Sequence, residues 1–149
     1  MYFWKTHLLV EALKKKTIEP SELKNYYLFS SLFYSACYYI ALLAPATNLA
    51  ALAVEAIGIL TITVFGLNMA FKANGGSNGA NFLEKIVSLS FPLVIKVFVS
   101  GIALGFLLAI LKTLGFSNLQ TEWLTSISII FIQAVFFWRL AFHIKNTNA

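Results

Sequence analysis

Charged residues are scarce in this chain of 149 residues. They make up 11% of it, and all six acidic residues are glutamates, so aspartate is absent. A typical soluble domain carries about 25% charged and about 45–50% apolar residues, whereas the apolar fraction here is 59%. So few charges cannot cover the surface of a water-soluble protein of this size. The composition therefore excludes a soluble enzyme or a free nucleic-acid-binding domain and favours a membrane protein.

Residues that carry redox, metal and hydrolytic chemistry are also scarce. Cys37 is the only cysteine, so no disulfide can form within the chain. His7 and His143, the two histidines, have no carboxylate or thiol cluster at metal-ligand spacing. The absence of aspartate excludes intramembrane aspartyl chemistry, and no nucleophile stands beside a plausible base. We therefore predict no catalytic residue, no metal site and no cofactor, and we expect that the protein is not an enzyme.

Four long apolar stretches account for most of the chain. They cover residues 27–44, 49–71, 91–111 and 123–142. A helix needs about 20 apolar residues to cross ~30 Å of hydrocarbon, and these runs lack the alternation of membrane-barrel strands. We therefore predict an all-α, polytopic membrane protein whose four transmembrane helices form a bundle over residues 20–149. The third helix should begin near residue 82, well before its span.

Residues 1–19 precede the spans and should form a cytoplasmic amphipathic segment. Its polar and apolar residues fall on opposite faces of a helix: His7, Glu11, Lys14 and Lys15 against Leu9, Val10, Ala12 and Leu13. Tyr2, Phe3 and Trp4 add rings of the kind that lie at headgroup level. This pattern predicts an interfacial helix on the bilayer, with docking to a partner protein as the alternative.

A flexible cytoplasmic loop is predicted at residues 73–81, where glycine, asparagine and serine predominate. A phosphate-binding P-loop would need a Gly-Lys-Ser or Gly-Lys-Thr ending that opens a helix after a strand. No lysine follows these glycines directly, and no strand is predicted. The sequence therefore indicates a connector between two spans.

Basic residues are unevenly distributed between the predicted loops. With the N-terminus in the cytoplasm, nine of the eleven basic residues are cytoplasmic: Lys5, Lys14, Lys15, Lys16, Lys24, Lys72, Lys85, Arg139 and Lys145. Lys112 lies on the opposite side and Lys96 within the third span. This positive-inside bias predicts two cytoplasmic termini, in a membrane that we expect to be the bacterial cytoplasmic (inner) membrane. The net charge of +5 then reflects attraction to anionic lipid and requires no nucleic acid.

Two charged residues lie inside the predicted spans. Glu55 is six residues into the second span and Lys96 five residues into the third. A charge at the bilayer centre costs about 2.5–3.5 kcal/mol on insertion scales, so such residues usually face other helices and often carry function. One possibility is that Glu55 and Lys96 form an ion pair. The other is that Lys96 extends to the cytoplasmic headgroups, and Glu55 is then either protonated because of its burial or solvated from the outer face of the membrane. Four further residues complete this candidate intramembrane polar site: Tyr34, Tyr38, Ser100 and Gln133.

The polar site has two interpretations. Its groups either form hydrogen bonds between helices, in which Tyr38 or Gln133 would bond Glu55, or they line a path for protons or a small solute. Small residues predict where helices pack closely. They form two ridges, one of Gly101, Gly105 and Ala109 in the third span, and one of Gly58 and Gly66 beside Glu55 in the second.

Three classes of function are compatible with this architecture. Short loops, no catalytic set and small-residue ridges favour a small membrane protein that binds another membrane protein, as an accessory subunit, assembly factor or immunity-type protector. The alternative is a small oligomeric transporter or channel that uses Glu55 as its proton-coupling acid. A membrane enzyme acting on lipid is a third class, for which no catalytic pair can be named. The expected partners are the bilayer and a second membrane protein or further copies of this chain.

Overall fold

The protein is helical throughout the part of the chain that its structure, a computed structural model, describes. That part comprises residues 2, 4–42, 48–114 and 121–148, without the side chains of residues 38–42, 112 and 121. Five α-helices follow one another, with a single 3-10 turn at Gly76–Asn78. They are α1 Thr6–Lys14, α2 Pro20–Leu42, α3 Leu49–Ala73, α4 Phe82–Thr113 and α5 Thr121–Asn148. Asn48 caps α3, since its Oδ1 accepts hydrogen bonds from the backbone N–H groups of Ala50 and Ala51.

Within the described residues, three helices are long and apolar enough to cross a membrane. These stretches, Leu49–Ala73, Phe82–Leu111 and Glu122–Asn148, contain the second, third and fourth predicted spans. They support the prediction of an all-helical membrane protein. The helix that contains the third predicted span, α4, begins at Phe82, as expected. The first predicted span, 27–44, lies in α2 up to residue 42, and residues 43–44 lie outside the described part. Over its described residues α2 does not reach the same apolarity, because tyrosines and serines interrupt it.

Over the described residues, contacts join the four long helices in a row, which is compatible with the helical bundle that the sequence predicts. α5 packs along α3 on one side and along α4 on the other, and α4 also contacts α2. Within the described chain, α2 makes no comparable contact with α3 or α5. The order across the row is therefore α3, α5, α4, α2, and most of each span is not covered by the other helices.

Neighbouring helices in the row have fixed directions. Gly58 and Gly66 of α3 lie opposite Ile130 and Phe137 of α5, so α3 and α5 are parallel. α4 is antiparallel to both, because Lys85 near its start contacts Asn148 at the end of α5. The ends of α3 and α5 therefore lie at the same end of the row as the start of α4.

The buried core is concentrated at that end, which we call the basic end because it carries Lys14, Lys72, Lys85 and Lys145. α1 lies there across α4 and α5. Its polar face is exposed, and Leu9, Val10 and Ala12 are buried. The core consists of Leu9, Val10, Tyr26, Ala70, Leu89, Phe91, Leu93, Phe136, Phe137, Leu140, Ala141 and Ile144.

Tyr26 ties the N-terminal segment to α2 at the basic end. Its side chain is fully buried, and its hydroxyl oxygen accepts a hydrogen bond of 2.6 Å from the backbone N–H of Tyr2. The apolar face of α1 thus contacts protein, and Tyr26 helps to hold the segment in place.

Candidate functional sites

Glu55 bonds across the α3–α5 interface. The hydroxyl of Ser126 donates to Glu55 Oε2 over 2.7 Å, and Ser126 itself is buried. Parallel packing brings the two residues to the same depth, because each lies in the second turn of its helix. The partner expected from the sequence is Tyr38, whose side chain lies outside the described residues, or Gln133; the described partner is Ser126. The signal that the sequence offers for it is a serine at the matching depth of a parallel helix.

The other residues of the predicted polar site are dispersed. Tyr34 is 53% exposed on α2, which has no substantial described contact with α3. Gln133 is half-buried on α5 and makes no hydrogen bond to Glu55 in the described chain. The side chain of Tyr38 lies outside the described residues. Ser100 donates a hydrogen bond of 2.9 Å to the backbone carbonyl of Lys96, within α4.

Lys96 points toward the N-terminal segment. Its Nζ donates to Thr6 Oγ1 over 2.7 Å and lies 5.8 Å from the centre of the Trp4 ring. Of the two alternatives left open by the sequence, the structure has Lys96 extending toward the basic end, and Glu55 and Lys96 do not pair. Their helices are separated by α5 in the row, which explains why.

A groove between α4 and α5 runs beside Lys96. It has a volume of about 310 Å³, and most of its lining residues are apolar. Lys96 and Arg139 line it together with Ser100. Thus Lys96 and Ser100 share one groove, whereas Glu55 belongs to a different interface.

The predicted glycine loop has a defined shape built around Asn74. Asn74 is 2% exposed, and its side-chain Nδ2 donates to the carbonyl of Ala80. Gly79 passes so close to the backbone of Asn74 that a Cβ at position 79 would overlap the Asn74 carbonyl oxygen. Gly75 has φ 99°, a left-handed conformation that favours glycine. Glycine is therefore required at these two positions by the path of the turn.

Lys85 is the charged residue that this turn holds. It is 8% exposed, and its Nζ donates to Asn74 Oδ1 over 2.8 Å and to Asn148 Oδ1 over 2.6 Å. Asn148 also donates to the carbonyl of Ala73. The cluster joins the loop, the start of α4 and the end of α5. This cluster was not predicted from the sequence. Lys85 served there only as evidence for the membrane topology, and its two asparagine partners lie 11 and 63 positions away.

The two small-residue ridges differ in their surroundings. On α3, a Cβ at Gly58 would lie 2.7 Å from Ile130 Cδ1, and one at Gly66 would overlap the Phe137 side chain. On α4, no heavy atom of the described chain comes within 4 Å of a Cβ at Gly101 or Gly105. Gly105 and Ala109 are exposed. The α3 ridge is thus filled by α5, and the α4 ridge has no neighbour in the described chain.

Neither metal chemistry nor relatives add to this picture. Within the described residues, no group of three or more histidine, cysteine or acidic side chains could hold a metal ion. No family model, curated protein or solved structure matches the chain.

Proposed function

We propose that this protein is a polytopic membrane protein that acts by binding another membrane protein through α4. The contrast between the two small-residue ridges carries the proposal. The α3 ridge of Gly58 and Gly66 receives side chains of α5, whereas Gly105 and Ala109 on α4 are exposed. Small residues stabilise membrane helices by letting a neighbouring helix approach. The exposed ridge therefore has the surface that a second transmembrane helix requires.

The row of helices supports the same proposal. Only 6% of the most apolar stretch of α4 and 11% of that of α3 are buried within the chain. Lipid covers such surfaces by default, but contact with lipid does not require small residues at helical spacing. An accessory subunit, an assembly factor or an immunity-type protector would use the ridge as its contact with a partner. Further copies of this chain are the other occupant to be tested.

The proposal includes a membrane topology. In this topology α2 also crosses the membrane, which makes four spans, α1 lies at the cytoplasmic interface, and both termini lie in the cytoplasm of a bacterium. The positive-inside rule supports this orientation, because Lys14, Lys72, Lys85 and Lys145 all lie at the basic end. The exposed polar face of α1, with His7 and Lys15, would then meet water and lipid headgroups.

Photo-crosslinking from α4 tests the proposal. A photoreactive amino acid at Ala109 should yield a discrete protein adduct in native membranes. The same group at Leu107 is the matched control, because Leu107 is also exposed but lies about 160° away around the helix. Gly105→Leu should abolish the adduct without lowering thermal stability, since nothing described contacts that position. Equal adducts from Ala109 and Leu107 would contradict the proposal, and an adduct of twice the chain mass would identify a second copy as the partner.

A proton-coupled transporter is the second candidate, and the contact of Glu55 supports it. Glu55 is the one carboxylate of the chain that lies well inside a candidate span, and it is only half-buried beside Ser126. A coupling acid must change its charge, so Glu55→Gln would abolish transport while the fold stays intact. Proton-driven uptake into proteoliposomes, compared between the wild type and Glu55→Gln, tests this candidate.

A further inference from the structure

A cavity lies at the basic end, beside the cluster of Lys85, Asn74 and Asn148. Its volume is about 520 Å³, and it is bounded by the glycine loop, the end of α1, the start of α4 and the end of α5. Pockets for small molecules commonly measure about 300–1,000 Å³. The cavity is therefore large enough for a phosphorylated small molecule or a lipid headgroup.

Four lysines line this cavity, and none of its lining residues is acidic. The four lysines are Lys14 at the end of α1, Lys16 just after α1, Lys72 near the end of α3, and Lys85 near the start of α4. Glu84 lines an adjoining cavity of about 200 Å³, together with Lys16 and Lys85. Like charges that converge in this way repel one another. An anion bound among them would remove that repulsion.

Lys85 is fixed in a way that suits an anion. Its 8% exposed side chain donates to Asn74 Oδ1 and Asn148 Oδ1, which are neutral acceptors. These bonds hold the ammonium group in place without neutralising its charge, and the carboxylate of Glu84 interacts with it electrostatically. Since an ammonium group has three donors, one hydrogen remains for a ligand. Lysine is a common ligand of phosphate, acting as a point charge.

Lys16 occupies a backbone position that usually belongs to glycine. Its φ is 51°, and its N–H bonds the carbonyl of Leu13, while the N–H of Thr17 bonds that of Ala12. These two bonds form a Schellman motif that ends α1, in which glycine is the usual left-handed residue. A side chain there costs roughly 1–2 kcal/mol. The chain thus carries a lysine, which lines the cavity, at a position where glycine would be more stable.

We propose that this cavity binds an anion that carries one or more phosphate groups. Lys85 is its fixed inner contact, and Lys14, Lys16 and Lys72 surround the remaining charge. The ligand is either a soluble phosphorylated molecule or the headgroup of an anionic phospholipid, since the cavity lies where we place the cytoplasmic membrane surface. The site is independent of the α4 ridge, so it can hold if the proposed function fails.

Binding of two probes tests the proposal and distinguishes the two sources. Purified protein in a non-ionic detergent is titrated with inorganic pyrophosphate by calorimetry, and separately with micelles that contain phosphatidylglycerol or phosphatidylcholine. Saturable binding of pyrophosphate supports a soluble ligand. Preference for phosphatidylglycerol over phosphatidylcholine, without pyrophosphate binding, supports a headgroup. Saturable binding of neither pyrophosphate nor phosphatidylglycerol would overturn the proposal.

Matched lysine variants separate a site from general attraction to a basic surface. Lys14→Gln with Lys72→Gln removes two charges that line the cavity, and each loss should weaken binding about five-fold. Lys15→Gln with Lys145→Gln removes two exposed charges that do not line it, and binding should be unchanged. Equal weakening by both pairs would overturn the proposal.

Lys16→Gly is a variant in which a loss of binding cannot be explained by unfolding. Glycine relieves the left-handed backbone, so thermal stability should stay the same or rise. Binding should nevertheless weaken about five-fold, because one charge leaves the cavity. Wild-type affinity in Lys16→Gly would exclude Lys16 from the site and contradict the arrangement proposed.

Discussion

Substituting Gly66 by alanine tests the parallel packing of α3 and α5. A Cβ at this position would overlap Cβ, Cγ and Cδ1 of Phe137, the atoms nearest the backbone of α5. Phe137 is 7% exposed and belongs to the buried core, so it cannot turn away. Either the ring leaves its rotamer or α5 moves away from α3.

The magnitude follows from the cost of overpacking. Extra methylene groups in a packed core cost typically about 1–3 kcal/mol, and 1 kcal/mol shifts the melting temperature of a chain of this size by about 2–4 °C. Gly66→Ala should therefore lower the melting temperature by about 2–12 °C. The assay is thermal unfolding in detergent, followed by the change in near-ultraviolet circular dichroism.

Two further glycines provide graded controls. At Gly58 the overlapping atoms are Ile130 Cδ1 and Cγ1, in the outer part of a flexible side chain, so Gly58→Ala should cost less. At Gly105 nothing described lies within 4 Å, so Gly105→Ala should be neutral or stabilising through its helix propensity. If Gly66→Ala is as stable as Gly105→Ala, the packing of α3 on α5 is wrong.

Two other substitutions test individual polar groups. Glu55→Gln should keep wild-type stability, because the glutamine oxygen can accept the hydrogen bond of Ser126. Thermal unfolding measures this stability, and a large decrease in the melting temperature would show that the carboxylate itself is required. Ser88→Ala should raise the melting temperature, because the Ser88 hydroxyl is fully buried without a described hydrogen-bond partner, and a buried unsatisfied polar group costs about 1–3 kcal/mol. An unchanged or lower melting temperature would show that the hydroxyl has a partner, such as an internal water molecule.

Sequence alone predicts the helices well because their signals are local. Long apolar runs place α3, α4 and α5, and helical periodicity separates the two faces of α1. α2 is less clear, because its tyrosines and serines lower the apolarity on which a span prediction depends. Helix positions and most membrane spans thus depend little on tertiary contacts.

The arrangement of the helices could not be predicted from such local signals. The described partner of Glu55, Ser126, lies 71 positions away, and nothing local indicates which polar residue of which helix lies at the depth of Glu55. The same holds for Lys85, whose asparagine partners come from the loop and the end of α5. Small-residue ridges predict close approach but not its direction, so the sequence could not distinguish the filled ridge on α3 from the exposed one on α4.

The most direct test of the account is the side of the membrane on which the glycine loop lies. In a Cys37→Ala background, a single cysteine replaces Ser77 in the loop or Asn118, which lies outside the described residues. Intact cells are then treated with a membrane-impermeant maleimide. We predict that Asn118→Cys is labelled at once and that Ser77→Cys is labelled only after the cells are permeabilised. Labelling of Ser77→Cys in intact cells would contradict the cytoplasmic placement of the basic end and the four-span topology with it.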